Sequence, residues 1–165
     1  METKKTYGFD NMSKDPRTWI FQSATLLSDT QKNIVATELD QFLQKWAAHG
    51  TELFAAFEIR YNRFIIIALD EDHSSASGCS IDSMMRLIQK LDDEFSLKLL
   101  DRTRVTYKVG DEIRECDANT YRRLWSAGEV DENTIVFNNI AQSIGEMERS
   151  WEGPACESWH ANLAP

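Results

Sequence analysis

The feature that most constrains this sequence is a run of six consecutive apolar residues, 64–69, three of them isoleucine. The run is far shorter than the roughly 20 residues that a membrane-spanning helix needs, and its β-branched side chains favour an extended conformation. Apolar and polar residues alternate with period two over the preceding segment, 53–61, which predicts a half-buried strand. Because Asn62 and Arg63 can turn the chain, the two segments are predicted to form a hairpin whose second strand is central.

Amphipathic helices are predicted on both sides of this hairpin. Ser28 and Gln31 have the spacing of a capping box, and apolar residues then recur at helical spacing, which predicts a helix over 29–49. Gly50 stands where that helix would stop. A second apolar stripe, with intervals of three and four residues, predicts another helix over 81–95.

The order of the predicted elements sets the fold class. Further strands predicted at 18–24 and 105–109 give the order β-α-β-β-α-β, that of the ferredoxin-like split βαβ. We therefore expect an α+β protein whose antiparallel sheet carries both helices on one face, the other face being open or covered by the C-terminal third. That third is predicted to add a β-hairpin around Gly110–Asp111, a helix capped by Asp117 and a strand at 134–137.

No linker, repeat or low-complexity tract divides the 165 residues, so a single domain is expected. Residues 1–16 are predicted to be a loosely ordered lead-in. A weak helical stretch is predicted over 141–149. Residues 151–165, which contain the helix- and strand-breaking pair Gly153–Pro154, are predicted to form an irregular tail.

Composition limits the classes of partner. Eighteen Lys and Arg against 27 Asp and Glu leave a formal net charge of −9, which opposes binding to nucleic acid and to anionic membrane surfaces. Three cysteines without framework spacing are expected to be free thiols in a reducing compartment. The first residues lack the apolar stretch of a secretory signal, and a cytoplasmic location is therefore predicted.

Residues 70–82 join the central strand to the second helix and form the first candidate site. Cys79 lies near the predicted helix N-terminus, where exposed N–H groups and the helix dipole favour a thiolate. His73 could serve as its base, with Asp82 or Asp70 orienting the imidazole. The hypothesis is a small hydrolase or transferase that uses Cys79 as nucleophile. The alternative is a small buried cysteine at the start of a capped helix.

The same segment could instead bind an anion. Glycine-containing loops at helix starts can form a nest of backbone N–H groups, here from Ser77, Gly78, Cys79 and Ser80. Because acidic residues lie nearby, a phosphate would require Mg²⁺ held by Asp70 and Asp72. The alternative is a solvated acidic loop in which Ser77 or Ser80 caps the helix.

Two other groups of residues are candidate sites. Arg60, Asn62 and Arg63 form a cationic turn that could meet a carboxylate or phosphate, the alternative being a surface hairpin. Cys156 and His160 have a spacing that zinc ligands use, but a second pair is missing, and we predict no metal centre and no cofactor. The chain also lacks the phosphate loop of ATPases and the glycine motif of dinucleotide-binding folds.

Several short segments of the sequence resemble those of a family of small cytoplasmic proteins from Bacteroidota. They are WAAHG at 46–50, FEIRYNRF at 57–64, ASGCSID at 76–82, IVFNN at 135–139 and SWH at 158–160, and the resemblance spans 19–160. Members often carry the label "ABC transporter ATPase", but the resemblance implies no established activity or catalytic residue. Because an ABC ATPase needs a phosphate loop with its lysine, ATPase activity is not expected here.

The leading hypothesis from the sequence is a non-catalytic binding or protein-interaction module, whose partner is a small molecule or a protein of unknown identity. A sheet of this kind often pairs through an open face or an edge, so a homodimer is expected among its states. The rival hypotheses are the enzyme that uses Cys79 and a binder of phosphate ligands that depends on Mg²⁺.

Overall fold

The computed structural model describes residues 8–13 and 15–165. Within them it contains four α-helices and antiparallel sheets, which confirms the α+β class. Two compact units are present: the first runs to Leu100 and includes Gln142–Gly145, and the second comprises Asp101–Ala141 and Glu146–Pro165. The expectation of a single domain stays a prediction. The predicted lead-in lies partly outside the described residues, and its described part includes a short 3₁₀ helix, Phe9–Asn11.

The first unit contains a three-stranded sheet and the two long helices. In chain order its elements are β1 (Arg17–Gln22), α1 (Asp29–Lys45), β2 (Ala47–Ala48), β3 (Thr51–Glu52), β4 (Phe54–Arg60), β5 (Phe64–Asp70) and α2 (Gly78–Phe95). The sheet has the order β1-β5-β4, and β5 is antiparallel to both neighbours. The apolar run therefore lies in the central strand, as predicted.

One face of this sheet packs against α1 and α2. The shared core includes Phe21, Ile65, Ile67 and Leu69 from the sheet, Val35 and Leu39 from α1, and Met84, Ile88 and Leu91 from α2. Alternate side chains of β1 and β5, among them Ile20, Ile66 and Ala68, point to the other face and are also buried. This second face therefore does not form an open apolar surface.

The ferredoxin-like arrangement of four strands is not confirmed. The segment predicted as its fourth strand is β6 (Arg104–Val109), which pairs with β7 (Glu112–Asp117) in another sheet. Main-chain atoms of residues 142–144 lie beside β1 instead, and the Thr18 N–H donates to the Gln142 carbonyl at 2.9 Å. The turn at Gly110–Asp111 offers β6 a partner only two residues away, which costs less loop entropy than a return to β1.

Helix α1 ends at Lys45, four residues before its predicted end. His49 and Gly50 both have left-handed backbone angles, with φ of 51° and 78°, and they close a tight turn between β2 and β3. Trp46 is buried there, and its indole N–H donates to the Ser80 carbonyl at 2.8 Å. The tight turn and the burial of the indole therefore end the helix at Lys45, although the apolar periodicity alone predicts that it continues to residue 49.

The second sheet has the order β7-β6-β8-β9. The other α-helices and strands of the described residues are α3 (Ala118–Ser126), β8 (Ile135–Phe137), α4 (Ile144–Ser150) and β9 (Glu152–Pro154). Asp117 caps α3, as predicted, by accepting the Thr120 N–H at 2.7 Å. Of the helices that the structure describes, none has the length and apolar character to cross a bilayer.

The prediction of an irregular tail is wrong for part of its length. Strand β9 pairs with β8, and two 3₁₀ helices follow, Ala155–Glu157 and Trp159–Leu163. Proline is tolerated at Pro154 because β9 is an edge strand, which needs no ladder hydrogen bond from that position on its outer side. Trp151 is buried and anchors the start of this segment.

Candidate functional site

Asp70, the last residue of β5, is buried and its carboxylate is fully engaged. One oxygen accepts the Ser13 N–H at 2.9 Å, and the other accepts the Asp72 N–H at 3.1 Å. Burial acts to raise the pKa of Asp70, but the hydrogen bonds from Ser13 and Asp72 and the nearby charge of His73 together lower it. The carboxylate therefore ties the segment before β1 to the end of β5.

His73 and Asp72 lie on the surface immediately after β5. The imidazole of His73 packs on the ring of Phe54, with 4.4 Å between ring centroids. Within the described part of the chain, no hydrogen bond joins His73 to Cys79. The contact between base and nucleophile that the enzyme hypothesis requires is therefore not formed in this conformation.

The start of α2 is built by its serines. Ser77 accepts the Ser80 N–H at 3.1 Å, and the Ser77 N–H donates to the Ser80 hydroxyl at 2.7 Å, which together form a capping box. Gly78 is the first helical residue and Cys79 the second, and both are exposed. The alternative of a buried Cys79 is therefore wrong. Two N–H groups of the predicted anion nest are already occupied by the cap.

The two arginines of the predicted cationic turn differ in their surroundings. Arg60 is half-exposed and pairs with Glu58, with 2.8 Å between Nε and the carboxylate oxygen. Arg63 is buried, and its guanidinium donates to the main-chain carbonyls of Ser23 and Ala24 at 2.9 and 3.1 Å. A planar guanidinium with five N–H groups suits such a role. Arg63 thus holds the loop after β1 and does not form part of a surface cationic turn.

A depression of about 310 Å³ lies beside α2, and sequence reasoning found only one of its residues, Asp82. Its other lining residues are Met85, Arg86, Gln89 and Leu100. Asp82 and Gln89 each lie three or four residues from both Met85 and Arg86, so the four positions share one face of α2. No motif or spacing in the sequence marks these residues as a site, because the apolar stripe that predicted the helix describes its buried face.

A second surface feature, the apolar corner, consists of Leu26 and Tyr61 and was not anticipated. Leu26 is 61% exposed and Tyr61 is 44% exposed. They come to the same end of the first sheet because the Leu27 N–H donates to the Asn62 carbonyl at 2.8 Å. Tyr61 and Asn62 have φ of 54° and 49°, as in a type I′ turn, and Arg63 closes that turn.

The second unit buries a histidine. The His160 side chain is fully buried, its Nδ1 lies 2.6 Å from the Ser158 hydroxyl oxygen, and its ring stacks on Trp159 with 3.9 Å between centroids. Its Nε2 has no hydrogen-bond partner among the residues that the structure describes. Burial lowers the pKa of His160 to about 4, so the ring is neutral near pH 7. Cys156, its partner in the zinc-like spacing, is exposed.

Two further groups of this unit have pKa values shifted by burial. Tyr121 is fully buried, its pKa is raised, and its hydroxyl has no hydrogen-bond partner in the described chain. Burial also raises the pKa of Cys116 to about 11, which makes this thiol a poor nucleophile at neutral pH. Over residues 8–13 and 15–165, no three His, Cys, Asp or Glu side chains are grouped so that they could hold a metal ion.

Comparison of the chain with protein-family models, with curated proteins and with solved structures gave no match.

Proposed function

We propose that this protein is a non-catalytic protein-interaction module and that the apolar corner is its contact surface. The observation that carries the proposal is Tyr61, a bulky side chain displayed at the tip of a hairpin by a left-handed backbone. Large non-glycine residues rarely adopt positive φ, and such strain tends to be retained where it serves function. Tyrosine is enriched at the cores of protein interfaces and among the residues that carry most of their binding energy.

The surroundings of the corner support a defined surface. Lys32 on α1 donates to the Asn62 side-chain carbonyl at 3.0 Å, and the Tyr61 ring meets the buried Phe64 ring edge-on at 6.3 Å between centroids. The Arg63 guanidinium holds the loop that leads to Leu26. A contact surface fixed in this way loses less conformational entropy when a partner binds.

The side chains of the 70–82 segment support a non-catalytic role. Asp70, Ser77 and Ser80 each make hydrogen bonds that build local structure. The expected partner is either another cytoplasmic protein or a second copy of this chain. Binding to nucleic acid is not expected because the net charge is −9. The same proposal extends to the Bacteroidota family that the sequence resembles, whose members would be interaction modules and not ATPases.

Site-specific photocrosslinking tests the proposal. A benzophenone amino acid replaces Tyr61 in one variant and Val109 in a control, since Val109 is 41% exposed but lies on a hairpin of the second unit. We expect a discrete crosslinked species from position 61 in cells and none from position 109. Adding Leu26→Asp should abolish it, because burying an unpaired carboxylate in an apolar contact is costly. Equal crosslinking from both positions would refute the proposal.

Sedimentation of the purified protein identifies the partner as self or other. Self-association that Leu26→Asp weakens and Val109→Asp leaves unchanged would establish the homodimer. A monomer at all concentrations, together with a crosslink to a larger species in cells, would assign the corner to a different protein. Both variants add the same charge, so a change in net charge cannot explain a difference between them.

A second candidate function, the enzyme that uses Cys79, is favoured by the exposure of that thiol in the first turn of α2. The pH dependence of its alkylation, followed by mass spectrometry, tests this function. Cys116 and Cys156 in the same sample are internal controls. A midpoint well below the ordinary thiol value of about 8.5 would support an activated nucleophile. A midpoint at or above that value would exclude it.

A further inference from the structure

The depression beside α2, defined above, has an apolar floor and a polar rim. Met85 and Leu100 are half-buried and pack on one side against the core of the first unit, so their exposed parts are held in place. Asp82, Arg86 and Gln89 are exposed and line the depression along α2. The arrangement combines a small apolar surface with a few polar groups, as ligand sites commonly do.

The guanidinium of Arg86 is the unusual member of the rim. Four arginines of this acidic chain pair with glutamates: Arg17, Arg60, Arg104 and Arg114. Arg86 forms neither an ion pair nor a hydrogen bond with any residue that the structure describes, although Asp82 lies one helical turn away. A cation that stays unpaired in a chain with 27 acidic residues offers a ready site for a carboxylate from outside.

Gln89 adds a fixed acceptor beside this cation. Its amide N–H₂ donates to Asp93 at 2.8 Å, which orients the side chain and leaves its carbonyl oxygen to accept from a ligand N–H. Asp82, at the other end of the rim, would repel a second anionic group. The volume of about 310 Å³ lies at the lower limit of small-molecule sites and suits a leucine-sized side chain.

We infer that this depression is a binding site for a single carboxylate adjacent to an apolar side chain and an amide N–H. Arg86 binds the carboxylate, Gln89 accepts the N–H, and Met85 and Leu100 bury the apolar group. The C-terminus of a peptide that ends in an aliphatic residue has this chemistry, and so does a free N-acyl amino acid. The inference is independent of the apolar corner, since it rests on different residues.

Methyl NMR of protein labelled at methionine tests the inference with N-acetyl-leucine as the probe. The chain has five methionines, and Met84, adjacent in sequence but fully buried, serves as the internal control for Met85. We expect a saturable shift of the Met85 methyl signal with a Kd on the order of 1–10 mM, as befits so small a ligand. N-acetyl-leucinamide, which lacks the carboxylate, should bind about tenfold more weakly.

Variants then assign the carboxylate to Arg86. Arg86→Gln should bind the acid and the amide equally, whereas Arg122→Gln, on the second unit, should keep the tenfold difference. Equal binding of acid and amide by the native protein, or no saturable shift at Met85, would overturn the inference. A tripeptide ending in leucine that binds more tightly than N-acetyl-leucine would identify a peptide terminus as the ligand, and equal binding would identify a free acid.

Discussion

Acidification is expected to destabilise the second unit through His160. The folded protein holds this imidazole buried and neutral, with a pKa lowered to about 4 from 6.5, while the unfolded chain can protonate it freely. Because the folded pKa lies below the unfolded one, the unfolded state binds more protons as the pH falls below 6.5. The stability contributed by neutral His160 is therefore complete above that value and is lost progressively towards pH 4.

The size of the effect follows from the two pKa values. Between about pH 7 and about pH 4.5, preferential protonation of the unfolded state lowers the free energy of unfolding by about 2 kcal/mol. Protonation of carboxylates with lowered pKa values, such as Asp70 and Asp117, also lowers the free energy of unfolding as the pH falls. A variant is therefore needed to isolate the histidine. His160→Asn keeps a polar atom near the Ser158 hydroxyl but cannot titrate.

The assay is urea unfolding at the two pH values for the native protein and His160→Asn, with amide hydrogen exchange to assign the loss to the second unit. We expect the native protein to lose about 2 kcal/mol more than the variant over this range. NMR of the imidazole C–H signals should show one of the three histidines titrating far below 6.5. Equal losses in both proteins, or a His160 midpoint near 6.5, would refute the reasoning.

Three further predictions concern the first unit and are measured by urea unfolding. Asp70→Asn should lower the free energy of unfolding by about 1–2 kcal/mol, because its amide nitrogen cannot accept one of the two N–H groups, and an unchanged value would contradict this role. Ser77→Ala should cost about 1 kcal/mol through loss of the cap, whereas Ser83→Ala, whose hydroxyl bonds only to a carbonyl within α2, should change stability little. Gly50→Ala should destabilise by about 1 kcal/mol because its φ is 78°, while Gly78→Ala, in a helix with open space around its Cα, should stabilise by about 0.5 kcal/mol, and the same sign for both would count against this reasoning.

The elements that the sequence predicted well are those whose signal is local. The periodicity of α2 and the apolar run of β5 lie within single windows of the chain, as do the caps at Ser28 and Asp117. The end of α1 and the pairing of β6 were not predictable in this way. The end of α1 depends on the hydrogen bond from the Trp46 indole to Ser80, 34 residues away. The pairing of β6 depends on which strand is available to it at the lower cost in loop entropy.

The candidate site shows the same limit. Sequence reasoning named Asp70 and Arg63 as candidate ligand-binding residues, but the partners that define their places in the fold are distant. Asp70 binds the N–H of a residue 57 positions earlier, and Arg63 binds a carbonyl 40 positions earlier. A buried carboxylate and a ligand-binding carboxylate look alike until such partners are known. The sequence did not predict the depression at Arg86, because the spacing of residues cannot show whether a charged side chain has a partner in the folded protein.

The return of residues 142–145 to β1 bears on how the chain folds as it is synthesised. The Gly145 N–H donates to the Asp15 carboxylate, 130 positions earlier. The outer edge of β1 therefore stays unpaired until most of the polypeptide has left the ribosome. Contacts of such long range slow folding, and an unpaired strand edge can form hydrogen bonds with other nascent chains. Polypeptides that terminate before residue 142 should accordingly aggregate, even though they already contain all three strands of the first sheet and the two helices that pack on it.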